Sequence, residues 1–232
     1  PANPVAWQLH GVFHKTVRKE RKTREDGGVA QQRARQVAER QARDAARTGE
    51  EYSKLLAEGA RYHCMKDERK AGRAYREAIA LEPDEAGAYL NLGSVLSDSG
   101  HYVEAAQRYL EAMKRLSVGS EYWAIATAYA FDMLKQEECA EAAKPEWWND
   151  EGLKVRSARV VRAAPNNEGA IQMRAMVLRG HSDAWEAGFR SAADYKEAAT
   201  HYERAAALCP APVVKAELAS IAGLCRSEAD AM

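Results

Sequence analysis

Cysteine is scarce in this chain of 232 residues, and the four present, Cys64, Cys139, Cys209 and Cys225, are far apart. No C-x-x-C pair occurs, which disfavours a zinc ribbon and a dithiol redox motif and leaves free thiols in a reducing compartment as the expectation. Net charge is also missing: Lys plus Arg and Asp plus Glu number 34 each, so no global field draws the whole chain onto nucleic acid or membrane. No apolar run approaches the roughly 18 residues of a membrane-spanning helix, and the N-terminus has no apolar signal core. The chain is expected to be soluble and intracellular. Organelle targeting stays open, because it begins at Pro1 without a methionine.

Strand alternation is absent as well. Val160-Val161 and Val213-Val214 are the nearest approach, each inside a segment of helical period. Alanine, Glu, Arg, Leu and Lys dominate, and the seven prolines mostly sit between candidate helices, so the composition predicts helix. Catalytic constellations are missing too. His10 and His14 are four apart without a following Glu or a third ligand. His63 and Cys64 are neighbours whose side chains diverge on a helix, a poor geometry for a base and a nucleophile. There is no G-x-S-x-G, Gly27-Gly28 alone cradles no phosphate, and His101 sits in a polar turn. The expectation is no enzyme, no cofactor and no metal.

What is present is a repeat. Gly59, Ala71, Tyr75 and Ala78 recur as Gly93, Ala105, Tyr109 and Ala112, each 34 positions later, while Pro83 is answered by Ser117. Two antiparallel helices need such a set. Small Gly59 and Ala71 permit close approach, Tyr62 and Tyr75 fill the wider space, Ala78 lets the next unit stack, and Pro83 ends the second helix. At this spacing the residues resemble the tetratricopeptide repeat, and Tyr89 to Met113, with Asn91-Leu92-Gly93 and Tyr109-Leu110-Glu111-Ala112, lies close to its consensus.

Two further units are interrupted. Trp123 stands at the family's first-helix tryptophan, with Pro165 displaced by an insertion near 137–150. The last unit starts near Glu168, is interrupted near 179–193, and resumes with Ala198, Tyr202, Ala205 and Pro210. A helix from Pro212 to about Ala229, with Val214, Leu218, Ile221 and Leu224 on one side, is expected to cap the stack. The expected fold is all-α: a right-handed α-α superhelix over 50–232, a solenoid with a C-terminal capping helix and, over 1–49, a long and partly helical N-terminal extension.

The resemblance implies a concave groove lined by the first helices, contributing Leu56, Ala60 and His63, then Leu90, Asn91 and Ser94, then Ile125, then Gln172, Met173 and Met176. Ser53, Gly87, Glu121, Ala124 and Ala128 complete it. Family members that grip a chaperone's C-terminal carboxylate use cationic and amide side chains at five positions. Here only Asn91 is retained, against Leu56, Ala60, Glu121 and Ile125, so that role is not expected. Met173 and Met176 read either as an adaptable contact or as core filling. Trp147 and Trp148 read either as exposed anchors or as plugs folded back on the third unit.

Residues 1–49 carry eleven Lys and Arg against five Asp and Glu, a balance of +6. Trp7, Leu9, Val12 and Phe13 open the segment, a basic run from Lys15 to Arg24 follows, and Arg33, Arg40, Arg43 and Arg47 form a helical stripe opposite Ala34, Ala38, Ala42, Ala45 and Ala46. The expected function is a non-catalytic scaffold or assembly subunit that binds a protein or peptide through the groove and the aromatic insertion. The alternative is an RNA-associated or anionic-surface-binding protein that uses the basic helix.

Overall fold

The computed structural model describes residues 33, 35–40, 43, 44 and 46–232. The opening Trp7, Leu9, Val12 and Phe13, the basic run, Gly27-Gly28, His10, His14, Ala34, Ala42 and Ala45 lie outside them. The chain divides into a unit of residues 1–51 and a second of residues 52–232. In the first, every described residue is helical and nearly all are exposed, Ala38 and Ala46 included. Exposed ion pairs join Arg35 to Glu39 at 2.9 Å and Arg40 to Asp44 at 3.8 Å.

The second unit is a succession of antiparallel helices: α1 (52–64), α2 (Glu68–Leu81), α3 (Ala86–Asp98), α4 (Tyr102–Arg115), α5 (Glu121–Leu134), α6 (Asp150–Ala163), α7 (Glu168–Arg179), α8 (Ala192–Leu208) and α9 (Pro212–Asp230). A short 3-10 turn, Glu137–Cys139, lies between α5 and α6. Local chemistry sets these ends. Asp67, Ser120, Asn149 and Asn167 each accept from a backbone N–H three residues ahead, and Ser191 with Asp194 forms a capping box. Gly180 closes α7 at φ 72°, and Pro212 opens α9 at a position where no N–H is needed.

Packing follows the repeat. Ala71, Tyr75, Ala78, Ala105, Tyr109, Ala112, Ala198, Tyr202 and Ala205 are all buried. At the positions of Gly93 and Tyr109 the third unit carries Thr127 and Ser157, both wholly buried. Each hydroxyl is returned to its own helix, Thr127 to Trp123 O at 2.7 Å and Ser157 to Lys154 O at 3.2 Å, so neither polar group is left unmet. The turn between the first two repeats is fastened by Arg115. It stacks 4.0 Å from the centre of the Tyr89 ring and donates to Pro83 O at 2.6 Å, and Tyr89 Oη donates to the same carbonyl at 3.1 Å.

Helix α9 departs from expectation in phase. Its buried face is Leu218, Ala222, Cys225 and Ala229, with Ile221 at the margin, whereas Val214 is 39% exposed and Leu224 52%. Small alanine and cysteine side chains let α9 lie close to α8, and the larger Val214 and Leu224 face away.

Candidate functional site

The first helices of the successive pairs, α1, α3, α5 and α7, bear the expected groove positions. Ala60 is exposed, and Leu56, His63, Leu90, Asn91, Ser94, Ile125, Gln172 and Met176 are half-buried. Leu56, Leu90 and Ile125 pack against core clusters, so only parts of them are open to a partner. Met173 corrects the expectation: at 1% exposure it is core, as are Ala124 and Ala128. One residue of helical rotation separates it from Gln172, which stays half-open.

Between α5 and α7 the groove deepens to a cleft of about 270 Å³. Tyr129, Asp132, Gln172 and Met176 are its more open walls, with Ala128, Phe131 and Met173 beneath. Tyr129, 40% exposed, leans on Tyr109 with ring centres 5.3 Å apart. Lys135 Nζ lies 2.9 Å from Asp132 Oδ1 and 3.8 Å from Met176 Sδ, and Gln172 Nε2 donates to Glu168 Oε1 at 2.9 Å. A phenol, a paired carboxylate, a carboxamide and a thioether can hydrogen-bond an extended chain and mould to its side chains.

The two inserted segments, 135–149 and 180–191, meet beside this cleft. Trp148 donates from Nε1 to Ala184 O at 2.9 Å and packs 5.6 Å from Phe131 and 6.1 Å from Trp185, measured between ring centres. Trp147 lies 5.8 Å from Trp148 and beneath the Arg156 guanidinium at 4.7 Å. Both indoles are half-buried, folded onto the third unit rather than extended as anchors. Lys144 spans 2.7 Å to both Leu134 O and Cys139 O, and burial pulls its ammonium below the usual lysine value. On the second inserted segment Phe189 is 80% exposed, which composition alone does not mark.

No family model matches the sequence, and no curated protein matches it. Among solved structures, one titled as a crystal structure of MamA protein superposes with a TM-score of 0.51 at 17% identity, over 78% of this chain and 87% of that one. A second MamA structure gives 0.47 at 16%, over 74% and 88%. YrrB, titled a tetratricopeptide-repeat protein with an unusual peptide-binding site, gives 0.45 at 15%, over 77% and 91%. The chain has a tetratricopeptide-repeat fold.

In that tetratricopeptide-repeat frame, His63 stands at the groove rim, its Nε2 2.8 Å from Asp98 Oδ2, a partner 35 positions away that no local motif announces. Of the arginine stripe, Arg33, Arg40 and Arg43 are exposed helical residues of the first unit, as is Arg47. Arg43 Nε donates to Glu39 O at 3.3 Å and Arg40 pairs with Asp44, both exposed contacts within their own helix. No helix among the described residues is long and apolar enough to cross a membrane.

Proposed function

We propose that this tetratricopeptide-repeat chain is a non-catalytic interaction scaffold whose cleft between α5 and α7 receives an extended peptide segment of a partner protein. The observation that carries the reading is the combination of Tyr129, Asp132, Gln172 and Met176 around one open cleft, with polar groups to align a backbone and soft apolar surface to hold side chains. Phe189, exposed on the neighbouring inserted segment, offers a further apolar contact. The fold supports the general class, since superhelical repeats expose long concave surfaces suited to partner binding.

A peptide-display selection against the full chain tests this, followed by affinity measurement on variants. Selected peptides are expected to lose at least about tenfold in affinity on Tyr129→Ala and on Met176→Lys. They should keep their affinity for Val155→Ser, which changes an exposed residue outside the cleft. Equal binding to all three variants would discard the cleft as the site.

A further inference from the structure

Three helices end at one spot on the groove rim. His63 closes the penultimate position of α1, Glu68 opens α2 and Asp98 closes α3. Their donor atoms all lie within 4.8 Å of one another. His63 Nε2 is 2.8 Å from Asp98 Oδ2 and 3.8 Å from Glu68 Oε2. Glu68 Oε2 is closed off from solvent and accepts no hydrogen bond, although the side chain as a whole is 26% exposed.

We propose that His63, Glu68 and Asp98 bind a first-row divalent metal ion of the zinc class. One imidazole nitrogen and two carboxylate oxygens are the donor types that such a borderline cation accepts, and two carboxylates balance its charge. Calcium is a poor occupant, since it takes about six to eight oxygen ligands. Donors about 2.1 Å from one ion lie no more than about 4.2 Å apart, which the two histidine separations already satisfy. The widest separation closes by rotation of Asp98, whose side chain is 45% exposed. The ion would neutralise the enclosed Glu68 oxygen and tie the ends of α1, α2 and α3 together, joining the first two repeats. With three protein donors a coordination position remains for water or for a donor from a bound partner. The competing account is a plain ion pair, in which His63 alone serves both carboxylates.

The test is a Zn²⁺ titration of the full chain, cleared by chelator, read by calorimetry and by thermal unfolding, with Mg²⁺ as the comparison ion. The background carries His10→Ala, His14→Ala and Cys64→Ser, which removes both histidines of the N-terminal segment and the exposed thiol beside His63. One Zn²⁺ per chain is expected, with a rise in unfolding temperature that Mg²⁺ does not produce. Adding Glu68→Gln, which breaks no hydrogen bond at Oε2, should weaken Zn²⁺ binding by at least about tenfold and abolish the thermal rise while circular dichroism stays unchanged. Adding His63→Ala should do the same. Absence of Zn²⁺ uptake, or uptake indifferent to Glu68→Gln, would overturn the metal site in favour of the ion pair.

Discussion

The Arg190 guanidinium grips both carboxylate oxygens of Asp150 across 40 positions of sequence. Its remaining donors reach Val177 O and Gly188 O, and the residue is 5% exposed. This one side chain therefore binds the second inserted segment to the start of α6 and the end of α7. Arg190→Ala would leave Asp150 to Lys154, 3.1 Å away, and would strip the Val177 carbonyl of its guanidinium donors. It is expected to cost about 3–5 kcal/mol in urea unfolding, against a much smaller loss for the exposed pair Arg73–Glu77 when Arg73 is replaced.

Two pH windows follow. The Arg190 guanidinium beside Asp150 holds its carboxyl below the ordinary value, so the folded state binds fewer protons there than the unfolded state. That stability is present above the unfolded pKa of about 3.9 and is lost as pH falls through the lowered folded value. Burial pushes the His201 imidazole down, against the opposing Glu197 and with Arg204 and Arg174 adding to the fall. Its contribution is present above the unfolded value of about 6.5 and is lost as pH drops through the depressed one. Unfolding free energies measured across pH should lose the upper of these slopes in His201→Gln and the lower in Asp150→Asn.

A Cβ built on Gly93 would fall 2.7 Å from the Tyr109 ring, and one on Gly59 2.5 Å from Tyr75. Gly93→Ala is expected to destabilise by about 1–3 kcal/mol through overpacking. In a double-mutant cycle with Tyr109→Ala the two losses should be less than additive, because removing the ring removes the clash. Additive losses would show that helix propensity, not contact, sets the requirement.

Helix α9 supplies a test of its phase. Leu218→Ala, at a site 7% exposed, should cost about 2–4 kcal/mol, while Leu224→Ala, at a site 52% exposed, should stay within about 0.5 kcal/mol. Comparable losses at the two sites would restore the face first expected from the sequence, which holds Leu218 and Leu224 together.

Thiol labelling reads the fold directly. Cys64 is exposed, and Cys139, Cys209 and Cys225 are buried. Burial also raises the Cys139 and Cys225 thiols above their ordinary value, lowering their thiolate fraction. One thiol per native chain should react promptly, and the other three only on unfolding.

How much was legible depended on whether a signal was repeated. Gly59, Ala71, Tyr75 and Ala78 recur with one spacing, and their recurrence exposed both regular units and, through Ala198, Tyr202 and Ala205, half of the last. Met173 was less legible, since Gln172, Met173 and Met176 sit within a single helical turn and a small rotation decides which of them is core. The phase of α9 was obscured by its own composition. Alanine, serine and glycine occur all around it, so Val214, Leu218, Ile221 and Leu224 suggest the buried face, although close packing on α8 favours small side chains and of these four only Leu218 is fully buried.

By itself, then, the sequence determined the helix pairs, their order and the caps that end them, because backbone hydrogen bonding and the contacts within a pair depend on residues near in the chain. Tertiary structure alone decided that Trp148 folds back onto Phe131 and Trp185, that Asp150 meets Arg190, and that His63 meets Asp98. These partners lie in different repeats or inserted segments, and their meeting depends on how successive units stack, a geometry set by the sum of many small packing contacts rather than by any local pattern.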